Sequence, residues 1–156
     1  MAVQGYIAKK GPMSQPHIQI VLVEDAEADV FLVREALQLG GLNFSLRVLD
    51  DGEKAVEFIE KVEKGEIEPC PHLVLLDLNL PKKTGAQVLE RMRQGPRCGS
   101  VPVIVLTSSD SPKDKEQTAR LGANQYFRKP SKLSEFLRLG QIVRELLGSE
   151  IPGLAS

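Results

Sequence analysis

The chain has 156 residues, 42% hydrophobic and 26% charged, which suits one globular domain with a substantial core. Lys and Arg number 20 against 21 Asp and Glu, so the formal net charge is −1. This balance, without a basic run interleaved with aromatics, predicts no nucleic-acid binding. The apolar runs are all shorter than 18 residues, which predicts no membrane span.

Both ends of the chain and the two cysteines limit the interpretation further. Residues 1–16 are rich in Gly and Pro and lack the apolar core of a signal peptide, so we interpret them as a flexible extension or a remnant of expression cloning. Residues 149–156 are predicted to be a short tail. Cys70 and Cys98 lie outside any CxxC or Cys/His cluster, so we expect no zinc site but two free thiols in a reducing, cytoplasmic compartment.

Short β-branched runs alternate with amphipathic helical patterns between the two ends. The predicted strands are residues 18–23, 44–49, 73–76, 101–106 and 124–127; the predicted helices are residues 26–39 and 51–64, one beginning at Thr84, one from Pro112 to about Leu121, and residues 131–147. Gly40 and Gly41 end the first helix, and an Asp precedes the second. Thr84 and Gln87 fit a capping box, Ser111 precedes a proline, and Ser131 is predicted to cap the last helix.

Five successive strand–helix units predict a parallel sheet covered by helices on both faces, because parallel strands need such crossovers. In these sheets, ligands bind beyond the carboxyl ends of the strands. The polar residues that follow the predicted strands are Glu24 and Asp25, Asp77, Thr107, and Lys129.

One rim of the sheet would therefore gather three carboxylates, a hydroxyl and an ammonium. Two carboxylates about 4 Å apart repel by roughly 4 kcal/mol at an effective dielectric constant near 20, so the cluster needs a cation or protons. Oxygen ligands with open positions suit Mg²⁺, which binds carboxylates together with phosphate oxygens. Lys129 and Thr107 would complete a phosphoryl-binding site.

Four motifs resemble the receiver domain of two-component response regulators, the CheY-like family. They are LVEDAEAD (22–29), LLDLNLPKKTG (75–85), VIVLTSSD (103–110) and YFRKP (126–130), and their order and spacing fit that family across residues 17–148. The resemblance implies a flavodoxin-like, doubly wound (βα)5 fold, a three-layer sandwich with strand order 2-1-3-4-5. It also implies a phosphoacceptor signalling protein, which catalyses only its own phosphorylation and dephosphorylation.

The resemblance also implies a role for each residue of the rim. Asp77 would accept the phosphoryl group from a sensor histidine kinase. Asp25, Glu24 through a water, Asp77 and the backbone carbonyl of Asn79 would hold Mg²⁺. Lys129 would pair with a phosphoryl oxygen.

The switch elements follow from the same resemblance. Thr107 would report phosphorylation by bonding another phosphoryl oxygen, and Tyr126 would be the switch aromatic that follows it. Lys129–Pro130 would be a cis peptide that aims the lysine inward.

Only the short segment EIPGLAS follows residue 149, and we therefore expect a stand-alone receiver that signals by protein–protein contact. The loops around residues 62–72, 78–83 and 93–100 resemble those of single-domain regulators partnered with bacterial phytochrome kinases. That group implies a phytochrome-type kinase partner and a homodimer.

Three rival functions remain at this point. A haloacid-dehalogenase-type phosphatase needs a second Asp two residues after its nucleophile, where this chain has Asn79. A flavodoxin-like electron carrier needs a phosphate loop after the first strand, where EDAEAD would repel phosphate. A pseudo-receiver would typically lack Asp25, Asp77 or Lys129.

Overall fold

Strands and helices alternate along residues 16–154, the part of the chain that the computed structural model describes. The expected N-terminal extension lies outside these residues except for Pro16. The strands are β1 His17–Val23, β2 Asn43–Leu49, β3 Leu73–Leu76, β4 Val103–Thr107 and β5 Gln125–Arg128. The helices are α1 Glu27–Leu39, α2 Gly52–Glu63, α3 Gly85–Gln94, α4 Pro112–Arg120, α5 Leu133–Phe136 and α6 Arg138–Leu147.

The strands form one parallel sheet in the order β2-β1-β3-β4-β5, which confirms the predicted flavodoxin-like fold. The order reverses between β1 and β3, where the loops after these strands separate to opposite faces of the sheet. A ligand site is expected at the carboxyl ends of these two strands.

Successive residues of each central strand enter opposite cores, because side chains alternate across a sheet. Ile18, Ile20 and Leu22 of β1 pack with α1, α5 and α6, whereas Val21 and Val23 pack with α2 and α3. Both faces of the sheet are thus covered, which explains why the first strand is nearly all apolar in sequence.

Most predicted caps are present, but the last helix begins differently. Asp51 accepts from the Lys54 amide, Thr84 forms the capping box with Gln87, and Ser111 accepts from the Asp114 amide. Ser131 is not a cap: the N-cap of α5 is Lys132, without a side-chain bond.

The single helix predicted for residues 131–147 is divided at Leu137, which joins α5 to α6. Phe136, Leu139, Val143 and Leu147 are all buried, so the apolar stripe continues across the junction. That continuity is why the sequence pattern does not reveal the break.

The described part of the expected tail, up to Leu154, packs against the domain. Leu154 is fully buried in the core on the α1 and α6 side, and its carbonyl accepts a 2.8 Å hydrogen bond from the Arg144 guanidinium. Among the described residues, none of the helices has the length and apolar character needed to cross a bilayer.

The prediction of two free thiols is wrong, because Cys70 and Cys98 form a disulfide. The bond joins the segment before β3 to the segment before β4. Glu63 supports the same junction by accepting from the backbone amides of Arg97 and Cys98 at 2.9 and 2.8 Å. The cysteines are 28 positions apart, and sequence spacing alone does not show that the fold brings them together.

Cys70→Ser should lower the free energy of unfolding of the oxidised protein by about 3–4 kcal/mol, because a loop of this length loses much of its unfolded-state entropy when closed. Urea unfolding with and without a thiol reductant measures this. Reductant should bring the wild type to the value of the variant and leave the variant unchanged. Equal unfolding free energies for the oxidised wild type and the variant would contradict the disulfide.

Candidate functional site

The backbone at the carboxyl ends of the strands fixes the predicted acids and lysine at one rim. The Glu24 amide donates to the Leu49 carbonyl at 2.9 Å, and the Asp77 amide donates to the Val23 carbonyl at 3.1 Å. The Lys129 amide donates to the Thr107 carbonyl at 2.7 Å. Each residue is therefore tied to the neighbouring strand, which holds its side chain on a rigid element.

Glu24, Asp25 and Asp77 form a cluster in which one carboxylate oxygen of each lies within 4.8 Å of the others. Glu24 and Asp77 are buried, whereas Asp25 is exposed. Burial raises the pKa of Glu24 to about 6, against the lowering effect of its hydrogen bond from Lys129. Buried carboxylates this close together suit a divalent cation that prefers oxygen ligands.

The Lys129 ammonium contacts three carboxylates. Its Nζ lies 2.6 Å from Glu24 Oε1, 2.8 Å from Asp29 Oδ2 and 3.3 Å from Asp77 Oδ2. Burial alone would lower the pKa of Lys129, but the hydrogen bonds to Asp29 and Glu24 outweigh it and hold the pKa above its usual range. Lys129 is therefore a fixed positive charge beside Asp77.

Asp29 belongs to this site, although the sequence interpretation gave it no role. It lies in the first turn of α1, four residues after Asp25, and side chains of a first turn tilt back toward the N-terminus of the helix, which here begins at the same rim. The spacing was thus a usable signal, but an acid in a first helical turn is also common for helix-dipole reasons alone.

Thr107 and Tyr126 lie on the adjacent strands and are linked through the loop after β4. The Thr107 side chain is fully buried, and its hydroxyl oxygen accepts a long, 3.4 Å bond from the Ser109 amide. The Tyr126 hydroxyl donates to the Ser109 carbonyl at 2.9 Å, and the Ser109 hydroxyl donates to Asp114 at 2.6 Å. The two predicted switch residues therefore hold the same segment of backbone.

The loop after β3 approaches Asp77 closely. The Asn79 amide donates to Asp77 Oδ1 at 3.3 Å, and the Asn79 side chain is exposed. A Cβ at Gly85 would lie 2.2 Å from the Asp77 carbonyl oxygen, so only glycine lets α3 begin against this backbone.

The predicted cis peptide at Lys129–Pro130 is wrong, because the cis peptide bond within residues 16–154 is Glu68–Pro69. Lys129 reaches the carboxylates with its own peptide bond in trans. The isomers of a bond to proline differ by only about 0.5–1 kcal/mol, so local sequence does not decide between them.

Comparison with known proteins agrees with this geometry. Residues 20–139 match the family model described as the response regulator receiver domain. The response regulator Rcp1 of Synechocystis sp. (strain ATCC 27184 / PCC 6803 / Kazusa) is 39% identical over 128 residues, which cover 82% of this chain and 87% of that protein.

Two solved structures share the fold closely. The phosphorylated cyanobacterial phytochrome response regulator RcpA is 32% identical with a TM-score of 0.77, covering 88% of this chain and 99% of that one. The Mn²⁺-bound form of Rcp1 is 36% identical with a TM-score of 0.74, covering 86% and 96% of the two chains. The family model spans well over half of this sequence, and the chain therefore belongs to the response regulator receiver domain family.

Proposed function

We propose that this chain accepts a phosphoryl group on Asp77 from a phosphohistidine of a sensor histidine kinase, in a reaction that requires Mg²⁺. The observation that carries the proposal is the surrounding of Asp77: a partly buried lysine 3.3 Å away and two further carboxylates within 4.8 Å. Membership of a signalling family supports the same activity.

The transfer itself needs few groups from the protein. An Asp77 carboxylate oxygen attacks phosphorus, the O–P bond forms as the N–P bond of the phosphohistidine breaks, and the histidine nitrogen keeps the electron pair. Asp77 is held at a strand end and needs little reorganisation, so catalysis is mainly positioning and charge neutralisation.

Glu24, Asp25 and Asp77 would hold the Mg²⁺ ion, with the Asn79 carbonyl as a further oxygen ligand. When bound, the ion neutralises negative charge on the carboxylates and on the phosphoryl oxygens. The need for a cation follows from the charges at the site, where four carboxylates, with Asp29 included, lie around one ammonium. The phosphoryl group adds roughly two more negative charges.

Thr107 and Tyr126 would carry the signal from Asp77 to the surface. The contact of Thr107 with the Ser109 amide uses the hydroxyl as an acceptor and leaves its proton for a phosphoryl oxygen. Movement of Thr107 would disturb the loop at Ser109, to which Tyr126 is bonded. The surface formed by α4 and β5 would then change its population of states, and a protein target would recognise the change.

The kinase partner we propose is of the phytochrome type, because the structurally similar RcpA is a phytochrome response regulator. We propose that the reaction takes place in the cytoplasm, where such a kinase presents its phosphohistidine and where the Cys70–Cys98 disulfide would be reduced. The expected homodimer and the identity of the downstream target stay predictions.

Phosphoryl uptake is testable without the kinase. Incubation with acetyl phosphate and Mg²⁺ should add about 80 Da once per chain, and chelation of the ion with EDTA should abolish the gain. Under the same conditions, repeated hydrolysis of p-nitrophenyl phosphate would instead indicate a phosphatase. Absence of any mass gain with Mg²⁺ present would overturn the proposal.

Cation affinity should depend on pH through Glu24. Its pKa of about 6 means that the folded, metal-free protein takes up a proton there as the pH falls, and the cation must displace that proton. Mg²⁺ should therefore bind about tenfold more weakly at pH 5 than at pH 7.5. Titration calorimetry at both pH values measures this. Glu24→Gln should bind weakly at both, and an unchanged pH dependence in that variant would contradict the assignment to Glu24.

A further inference from the structure

Asp29 makes a contact that the phosphoryl-transfer scheme leaves unused. Its Oδ2 lies 2.8 Å from Lys129 Nζ, a shorter distance than the 3.3 Å between the same nitrogen and Asp77. The two residues are 100 positions apart in the chain, so the contact is a product of the fold. The Asp29 side chain is 28% exposed, and that of Lys129 only 10%.

The ordinary role of an acid at this helical position is filled by another residue. An acid at the third residue of a helix commonly accepts from the amide of the N-cap residue. Here the N-cap is Ala26, and its amide donates to Glu24 Oε2 at 3.1 Å. The Asp29 carboxylate bonds to Lys129 instead, so its contact is not explained by helix capping.

The partners of Lys129 divide into two kinds. Glu24 and Asp77 belong to the carboxylate cluster that suits a cation, whereas Asp29 lies outside it. An ammonium has three N–H donors, and the three contacts of Lys129 account for all of them. Glu24 and Asp77, two of these three partners, would hold a bound cation, and its charge would repel the lysine, so Asp29 would be the anion that retains Lys129.

We infer that Asp29 is a positioning residue, which holds the Lys129 ammonium beside Asp77 while Glu24 and Asp77 engage the cation and the phosphoryl group. Asp29 acts through Lys129 and touches neither the cation nor the reacting atoms. The inference rests on the proposed function, because it concerns the same phosphoryl transfer.

Asp29→Asn should lower the rate constant of phosphorylation about tenfold at saturating acetyl phosphate and Mg²⁺, because misplacing a group that neutralises developing charge slows the reaction. Asp29→Glu keeps the charge and should recover the rate to within about threefold of the wild type. Glu27→Gln is the matched control: it removes the same charge from the same helical turn, and Glu27 is exposed. Its rate should equal that of the wild type.

A double-mutant cycle with Lys129→Met separates positioning from a general effect of charge. In the Lys129→Met background, Asp29→Asn should change the rate constant by less than about twofold. Urea unfolding verifies that each variant is folded. If Asp29→Asn does not fold, Asp29→Ala is measured in its place.

An unchanged or faster rate in Asp29→Asn would overturn the inference, and so would an equal slowing in the Lys129→Met background. The proposed function would still stand after either result, provided that the wild type takes up the phosphoryl group. If the wild type takes up no phosphoryl group, the inference on Asp29 and the proposed function are both wrong.

Discussion

Lys129→Met should slow phosphoryl uptake from acetyl phosphate by about a hundredfold or more, the usual cost of removing one donor from a site of developing negative charge. Three carboxylates hold the Lys129 ammonium at 2.6–3.3 Å, and within residues 16–154 it is the positively charged group that contacts Asp77. Met is similar in length, so the substitution removes the charge and the N–H donors with little change in volume.

The same variant should bind Mg²⁺ more tightly, by about tenfold or more, because the ammonium repels a cation in the neighbouring cluster. It should also be less stable without the ion. Removing one partner of a buried ion pair commonly costs about 3–5 kcal/mol, and Glu24 is only 1% exposed. Addition of Mg²⁺ should restore the stability, since the ion replaces the lost positive charge.

Lys132→Met is the control for this experiment. Lys132 is exposed, lies three residues farther along the chain and carries the same charge. Its phosphorylation rate, its Mg²⁺ affinity by calorimetry and its unfolding midpoint in urea should all match the wild type. If Lys129→Met is phosphorylated as fast as Lys132→Met, the lysine has no part in the transfer.

The sheet and its rim were predictable because their signals are local. The four apolar residues of β3 are bounded by His72 and Asp77, and the structure gives the strand the same limits, Leu73–Leu76. The carboxyl ends of parallel strands must share one edge, so the meeting of Glu24, Asp77 and Lys129 followed from topology alone.

The missed features depend on contacts between distant segments. The pairing of Cys70 with Cys98 requires the loops before β3 and β4 to meet, which no spacing rule shows. Asp29 has two acceptable explanations in sequence, helix dipole or site residue, and only the position of Lys129 decides between them. The isomer of Lys129–Pro130 likewise depends on tertiary context.

Asp77→Asn should take up no phosphoryl group from acetyl phosphate or from a phosphorylated kinase. The amide keeps the shape of the carboxylate but lacks its nucleophilic, anionic oxygen. Asp77 is 5% exposed and shares Lys129 with Glu24 and Asp29, so these acids still pair with the lysine in the variant. The fold should therefore persist, with an unfolding midpoint close to that of the wild type.

Asp50→Asn is the matched control, because Asp50 also follows a strand at this edge of the sheet but is exposed and paired with Lys54. Intact-mass spectrometry after incubation with acetyl phosphate and Mg²⁺ tests the central claim most directly. The wild type and Asp50→Asn should each gain about 80 Da, and Asp77→Asn should gain nothing. Full labelling of Asp77→Asn would show that the phosphoryl group is received elsewhere.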